Sequence, residues 1–251
     1  MAQVHDSLAF EDESAEVREL RTLADMVRDE LGDAARAGAR GMRRLTGVGD
    51  IVDELTLLEP QARRSVWSMQ PRADFDPEDP GYELVESSRS RGVATQLVTR
   101  ANTLSVNPLL GSIYPNARIG PVFMTAIVID EETVVVEGLD TVDGYSTAWL
   151  TSRADFVVPV LDIWRRTLAQ SRPLLAPGEE PALTQRQVRV ACLLALGEKD
   201  QTIARRLGLS GRTVEREVRV VLQALGARGR TEAVMLMRGR GINGRLKDRR
   251  L

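Results

Sequence analysis

Two helical patterns joined by only three residues constrain the fold of this chain most strongly. Apolar residues recur at helical spacing over residues 201–207 and again over residues 212–225. The connection is Gly208-Leu209-Ser210, in which glycine can end one helix and serine can cap the next. Such a short connection makes the two helices cross at a steep angle. The pattern therefore predicts a helix-turn-helix.

Further helices on either side complete a predicted all-α domain of four helices over residues 183–240. The predicted N-caps are polar residues that can accept a backbone hydrogen bond: Thr184, Asp200, Ser210 and Thr231. The side of the third helix that lacks apolar residues carries Arg212, Glu215, Arg216 and Arg219. A helix with such a face can lie in the major groove of DNA.

The formal net charge of −2 conceals an asymmetry between the two ends of the chain. Of 34 Lys+Arg and 36 Asp+Glu, the part from Pro181 onward holds 16 basic and 6 acidic residues, which leaves 18 basic and 30 acidic residues before it. Opposite charges of this size indicate a nucleic-acid-binding end joined to an acidic body. Double-stranded DNA is the expected partner.

The C-terminal pattern resembles the LuxR-type helix-turn-helix family. The matching residues, in order and without gaps, are Leu183-Thr184-x-Arg186, Gly197, Ile203-Ala204-x-x-Leu207-Gly208-Leu209-Ser210, Thr213-Val214, Leu222, Leu225-Gly226 and Arg230-Thr231-Glu232-Ala233. The resemblance covers under a quarter of the chain.

This resemblance implies a set of DNA contacts. Phosphates would be bound by Ser210 and Thr213, and by Gln201 and Thr202 from the preceding helix, while base edges would be met by Glu215, Arg216 and Arg219. The full set of expected DNA-binding residues is Gln201, Thr202, Ser210, Arg212, Thr213, Glu215, Arg216, Arg219 and Arg230. The family often has His where Glu217 stands and Lys where Ala224 stands. The two acids of the third helix, Glu215 and Glu217, would therefore lower the general affinity for phosphate.

Before the helical domain, helices alternate with β-branched strands, which favours an α/β domain with a mixed sheet and flanking helices, preceded by a long helix. The expected helices span residues 14–40 (with Ser14 as N-cap), 50–58, 82–90 and 154–170. The expected strands span residues 65–70, 94–100, 122–129 and 133–137. The expected segments are a disordered tail 1–13, a helical segment 14–58, an α/β effector or dimerisation domain 59–171, a linker 172–182, the helix-turn-helix domain 183–240 and a basic tail 241–251.

The order of elements over residues 60–172 also resembles phospholipase-D-like effector domains, including those of TrmB-type sensors. If Asp130 is the Asp of their His-x-Lys-x4-Asp pattern, the His position holds Phe123 and the Lys position holds Thr125. The only histidine of the chain is His5. With no nucleophile at that position, the domain is expected to be non-catalytic, and no catalytic residue is predicted.

Several side chains are candidates for lining a pocket, and Arg100 and Arg118 are favoured because each lies next to a strand: Trp67, Gln70, Arg100, Asn102, Tyr114, Arg118 and Trp149. Of these, Trp67, Arg100 and Arg118 are the predicted ligand-binding residues. Cys192 is the only cysteine, so neither a cysteine-based metal site nor any other metal or cofactor is expected. The chain has no apolar run long enough to cross a membrane and no secretory signal, so a cytoplasmic protein is expected.

The predicted function is a sequence-specific, homodimeric DNA-binding transcription regulator that is not an enzyme. The alternatives are a phosphodiesterase-like enzyme with a DNA-targeting module and a regulator that binds protein. A phosphorylated receiver domain is not expected, because such a domain needs a lysine and none precedes Lys199. The α/β domain would bind a small molecule, bind a protein partner, only dimerise, or shield the basic domain. The first and last helices are both candidate dimer surfaces.

Overall fold

The computed structural model describes residues 14–239. An N-terminal mixed sheet with flanking helices is followed by an all-helical C-terminal region, which confirms the predicted fold class. The predicted disordered tail 1–13 with His5, the basic tail 241–251 and the last residue of the predicted DNA-binding domain lie outside the described residues.

Eight strands of the described chain form one sheet, in the order β1-β7-β6-β5-β2-β3-β4-β8. Strands β2, β3 and β4 pair in parallel, and the other neighbours are antiparallel. The strands are β1 (Met42–Thr46), β2 (Ser65–Gln70), β3 (Ala94–Thr99), β4 (Arg118–Ile119), β5 (Ala126–Ile129), β6 (Thr133–Glu137), β7 (Thr147–Thr151) and β8 (Arg172–Pro173).

The four predicted strands are present in this sheet as β2, β3, β5 and β6. The predicted helical segment 14–58 also contains an unpredicted strand, because β1 lies between its two helices and pairs with β7 at one edge. At the other edge, β8 falls inside the predicted linker 172–182 and pairs with β4. These edge strands are short and largely polar, so an alternating apolar pattern does not mark them.

One face of the sheet is covered by α1 (Ala15–Arg36) and α5 (Ala154–Ala169). Leu20, Ala24, Val27 and Leu31 of α1 are buried at the expected spacing, and Ser14 is confirmed as the N-cap, accepting the backbone N–H of Val17 at 3.3 Å. Helix α1 ends four residues earlier than predicted, since Gly38 takes a positive φ of 71°.

The other face of the sheet packs against α2 (Gly47–Leu58), α3 (Gly81–Ser90) and the short helix α4 (Leu110–Ile113). The predicted hairpin between β5 and β6 is confirmed. At its turn Asp130 has a φ of 53°, and its carboxylate accepts the backbone N–H groups of Arg63, Arg64 and Ser65 at 2.9, 2.7 and 2.8 Å. This residue therefore ties the hairpin to the start of β2.

The C-terminal helices are α6 (Gln185–Ala195), α7 (Asp200–Leu207), α8 (Gly211–Leu225) and α9 (Arg230–Met237). Thr184 and Ser210 are confirmed as N-caps, each accepting a backbone N–H three residues ahead. The other two predicted caps are wrong. Asp200 lies inside α7 and pairs with Arg230, and α9 starts one residue before Thr231, after Gly229.

The helical region packs directly on the α/β domain. Phe75, Leu109 and Ile113 from the α/β domain join the apolar core of the C-terminal helices. Ser112 Oγ accepts the backbone N–H of Leu183 at 3.0 Å, and the Ser112 carbonyl accepts the side-chain amide of Gln185 at 3.2 Å. The segment predicted as a linker thus leads into a docked domain.

Candidate nucleic-acid interface

Helix α8 has one buried side and one exposed side. Val214, Val218, Val221 and Leu225 are buried against the other C-terminal helices. The opposite side forms what we call the recognition surface, which consists of Arg212, Glu215, Arg216 and Arg219. The side chains of Glu215, Arg216 and Arg219 are 68%, 65% and 71% exposed. These exposures show that the described part of the α/β domain does not cover the recognition surface. In this arrangement the α/β domain therefore does not shield the basic domain.

The turn before α8 fixes how the recognition surface is presented. Gly208 ends α7 in the left-handed region at a φ of 64°, where a side chain would be strained. The backbone N–H of Leu209 donates to the carbonyl of Ala204 at 2.9 Å, which closes the turn. As the connection predicts, α7 and α8 pack against each other.

The N-terminal end of α8 combines groups that suit an anion. Ser210 Oγ accepts the backbone N–H of Thr213 at 3.1 Å and lies 2.8 Å from Thr213 Oγ1. An added Cβ at Gly211 would meet no atom within 4 Å, so the helix end is open. Backbone N–H groups and the positive end of the helix dipole attract phosphate at such a site. In the first turn of α7, Gln201 is exposed and Thr202 is half-buried.

Within the recognition surface, Arg219 pairs with Glu215 one turn earlier, at 3.0 Å. Both groups are exposed, so the pair contributes little to stability and can exchange for other partners. Arg230, predicted to contact DNA, instead pairs with Asp200 of α7 in this structure, and both are partly exposed. Its DNA contact stays a prediction.

Glu217 corrects one expectation from the sequence. It was expected to oppose phosphate from the recognition helix, but its side chain is only 2% exposed and faces α6. Gln187 donates to it at 2.9 Å, and Arg186 and Arg216 lie at 3.0 and 3.2 Å. The hydrogen bond from Gln187, assisted by the two arginines, holds the pKa of Glu217 below its ordinary value although burial opposes this. Glu215 is then the one acid of α8 that is exposed.

The three predicted ligand-binding residues of the α/β domain have contacts within the fold. Trp67 stacks on Trp164 with ring centres 5.2 Å apart. Arg118 donates to Ser171 Oγ at 2.7 Å and to the Ser171 carbonyl at 2.6 Å. Arg100 donates to the Val122 carbonyl and lies 5.1 Å from the centre of the Phe123 ring. Their role in binding a ligand stays a prediction.

Gln70 and Tyr114, from the wider predicted set, do line a common cavity of about 160 Å³ between α3 and the sheet. Of the rest of that set, Trp149 lines a separate cleft beside α1. Sequence reasoning missed Arg89, which lines the cavity with Gln70. A single arginine on a solvated-looking helix gives no sequence signal of its own, and only the packing of α3 on the sheet brings the two together.

Two of the positions expected to match the phospholipase D pattern, Phe123 and Asp130, have contacts within the fold. Phe123 lies under the guanidinium of Arg21, 4.7 Å from its ring centre, and Arg28 donates to its carbonyl at 2.7 Å. Asp130 is used in the hairpin turn. Within residues 14–239, no group of three or more His, Cys, Asp or Glu side chains is placed to hold a metal ion.

A basic, exposed helix presented by a tight turn defines the C-terminal region as a helix-turn-helix DNA-binding domain on a mixed α/β domain. Residues 181–237 match the family model of bacterial regulatory proteins of the luxR family, which confirms the predicted resemblance for this part of the chain. The comparison with curated proteins gives no match.

Two of the solved structures that are similar to this chain match a little over half of its length. NucT from Helicobacter pylori aligns with a TM-score of 0.45 and 16% identity, over 53% of this chain and 98% of its own. The phospholipase D family member Nuc from Salmonella typhimurium aligns with a TM-score of 0.42 and 16% identity, over 54% and 98%.

A third similar structure is TrmBL2, an archaeal chromatin protein, with a TM-score of 0.43 and 14% identity over 62% of this chain and 64% of its own. A likeness of this degree does not carry an activity over to this chain. Separately, none of the described helices is both long and apolar enough to cross a membrane.

Proposed function

We propose that this chain is a transcription regulator that binds specific sequences of double-stranded DNA as a homodimer. The observation that carries the proposal is the recognition surface, in which Arg212, Arg216 and Arg219 project from a helix whose opposite side is buried. Such a helix can enter the major groove as a rigid unit.

Within this proposal, the residues divide between base and phosphate contacts. Arg216 and Arg219 bind guanine O6 and N7, and Glu215 accepts from cytosine N4. The phosphate contacts come from the exposed or half-buried polar residues around the turn and the domain edge, which are Gln201, Thr202, Ser210, Arg212, Thr213 and Arg230. To reach bases, Arg219 gives up its pair with Glu215 and Arg216 gives up its pair with Glu217.

A homodimer would place two recognition helices on half-sites about 10 base pairs apart. Helices α1 and α9 both offer a surface for this. Met26 of α1 is 50% exposed, and Val234, Met235 and Leu236 of α9 are only partly buried. The α/β domain then serves as a sensor or a dimerisation unit, and it has no catalytic role.

The non-catalytic role is supported by Phe123 and Thr125, which stand where a phosphodiesterase of this pattern needs His and Lys. The full-length chain should not hydrolyse bis(p-nitrophenyl) phosphate above the buffer rate. Turnover that follows the protein through purification would favour the alternative, an enzyme with an appended DNA-targeting domain.

The proposal is tested by selecting duplexes from a random DNA pool with the full-length chain. We expect one enriched sequence with two-fold symmetry, and a footprint that spans two half-sites. Arg216→Ala should lose the enrichment, and Arg165→Ala is the matched control because Arg165 is 64% exposed on α5, in the other domain. Absence of any enriched sequence at moderate salt, or equal enrichment by both variants, would contradict the proposal.

A further inference from the structure

A cavity of about 160 Å³ lies between α3 and the sheet, on the face away from α1 and α5. Most of its wall is apolar, from Leu84 and Val85 of α3, Leu97 of β3, and Ile127 and Ile129 of β5. A cavity of about 150 Å³ with such walls accepts a molecule the size of benzene. The volume therefore fits a single ring or a short branched chain.

Three charged residues line the wall, of which Glu59 pairs with Arg91, while Asp79 and Arg89 form no ion pair within residues 14–239. The Arg89 guanidinium donates to Thr95 Oγ1, the Ile113 carbonyl and Asn116 Oδ1 at 3.0, 3.2 and 3.1 Å, all of them neutral acceptors. No carboxylate within residues 14–239 forms an ion pair with it, and Glu86 on the preceding turn acts on it only at longer range. Burial lowers the pKa of Arg89, because a charged guanidinium is less stable in this partly buried position than in water.

We propose that this cavity binds a small monocarboxylic acid with an apolar, ring-sized body, whose carboxylate pairs with Arg89. A guanidinium keeps five donors in a fixed fork, and only three bonds from Arg89 are made within the fold. The apolar body lies against Leu84 and Ile127, and Ser68 and Gln70 supply further hydrogen-bonding groups.

The two ends of the cavity carry opposite charges. Asp79 lines it beyond the N-terminal end of α3, whereas Arg89 lies in the last turn of that helix. The Asp79 carboxylate accepts the backbone N–H of Gly81 at 2.8 Å at that end, and burial raises its pKa. The Asp79 carboxylate disfavours an anion at its end, and Arg89 favours one at the other end, where the Glu59 carboxylate is already paired with Arg91.

The same arginine connects the cavity to the helix-turn-helix domain, so this inference rests on the proposed function and assigns its effector. Arg89 holds the carbonyl of Ile113, a residue that packs in the core of the C-terminal helices. The neighbouring Ser112 accepts hydrogen bonds from Leu183 and Gln185. A carboxylate that pairs with Arg89 shares the guanidinium with that carbonyl, and its pull on the guanidinium changes how the DNA-binding domain is docked.

The binding step is tested without DNA, by titrating the full-length chain with benzoate and with benzyl alcohol in a calorimeter. We expect saturable binding of benzoate, at least about tenfold tighter than that of benzyl alcohol, a difference typical of one charge-assisted contact. Arg89→Gln should remove this preference, while Arg165→Gln, the exposed control, should keep it. No saturable binding of benzoate, or equal affinity for the two compounds, would overturn the proposal.

A second variant keeps Arg89, so its result does not depend on whether Arg89→Gln folds. Leu84→Phe fills the cavity and should abolish binding of both compounds with little change in the unfolding midpoint. Unchanged benzoate affinity in Leu84→Phe would place the ligand elsewhere and overturn the site.

The coupling step is tested by measuring DNA affinity with and without saturating benzoate. We expect a change of about fivefold or more, the usual lower range for coupled sites, and none in Arg89→Gln. Equal affinities would overturn the coupling. A chain that binds benzoate but prefers no DNA sequence would contradict the proposed function alone, so the two failures are distinguishable.

Discussion

The side-chain amide of Gln187, on α6, donates a hydrogen bond of 2.9 Å to the buried carboxylate of Glu217, on α8. The other end of the same amide accepts the backbone N–H of Thr184 at 2.9 Å, within the capping box that starts α6. The Gln187 side chain is thus part of the N-terminal cap of α6 and also bonds α6 to α8. The hydrogen bond therefore links α6 to the helix that carries the recognition surface.

We therefore expect Glu217→Ala to destabilise the C-terminal domain by about 1–3 kcal/mol, since the half-buried Gln187 amide loses its acceptor. Urea unfolding of the full-length chain measures this difference. Glu215→Ala is the matched control, because Glu215 lies on the same helix but is 68% exposed, and it should change stability by less than about 0.5 kcal/mol. Equal effects of the two variants would show that the link to Gln187 contributes nothing.

The pH dependence of the same group has a definite sign. Because its pKa is lowered in the folded state, mainly by the Gln187 hydrogen bond, Glu217 stabilises the fold above its ordinary pKa of 4.5. That contribution is lost as the pH falls through the lowered folded value. The stability difference between wild type and Glu217→Gln should therefore be larger at neutral pH than at about pH 3. A difference that stays constant over this range would mean that folding does not shift the pKa of Glu217.

Sequence patterns predicted the recognition helix because its signals are local. Ser210 caps the helix, Gly208 ends the previous one, and buried Val214 and Val218 follow the helical period. The orientation of Glu217 was missed because its position beside Val218 says nothing about α6, on which it packs. Edge strand β1 was missed because its hydrogen bonds come from β7, some hundred residues later in the chain. The Arg89 cavity was missed for the same reason, since its walls come from separate elements.

The exposed pair of Glu215 and Arg219 should tune affinity more than stability. Glu215→Gln removes a negative charge that faces phosphate, so the affinity for non-specific duplex should rise a few-fold and discrimination at one base pair should weaken. Titrations at several salt concentrations measure both effects. Asp162→Asn is the control, because Asp162 forms an exposed pair with Arg166 on α5 at the same spacing, and it should leave both unchanged. If Asp162→Asn also raised the affinity for non-specific duplex, the overall charge of the protein and not the position of Glu215 would be responsible.

The hairpin turn at Asp130 should be sensitive to its carboxylate. Asp130→Ala removes the acceptor of three backbone N–H groups and places alanine at a positive φ, so we expect a loss of about 2–4 kcal/mol. Asp130→Asn keeps Oδ1, which accepts two of those groups, and should lose less. Glu131→Asn is the contrasting variant, because asparagine tolerates the φ of 61° at that position, and it should be neutral or stabilising in thermal unfolding. If Asp130→Asn were as unstable as Asp130→Ala, the hydrogen bonds to the start of β2 would not be the cause.

Ser210 offers a way to separate folding from DNA binding, because it both caps α8 and faces the predicted phosphate site. Ser210→Asp keeps an N-cap acceptor and adds a negative charge at the positive end of the helix, so the unfolding midpoint should stay equal or rise. The same charge repels phosphate, so affinity for the selected duplex should fall at least about tenfold. Ser14→Asp makes the same change at the N-cap of α1, which lies in the other domain, and should leave DNA affinity unaltered. A stable Ser210→Asp variant that binds the duplex as tightly as wild type would mean that the N-terminal end of α8 does not approach the DNA backbone.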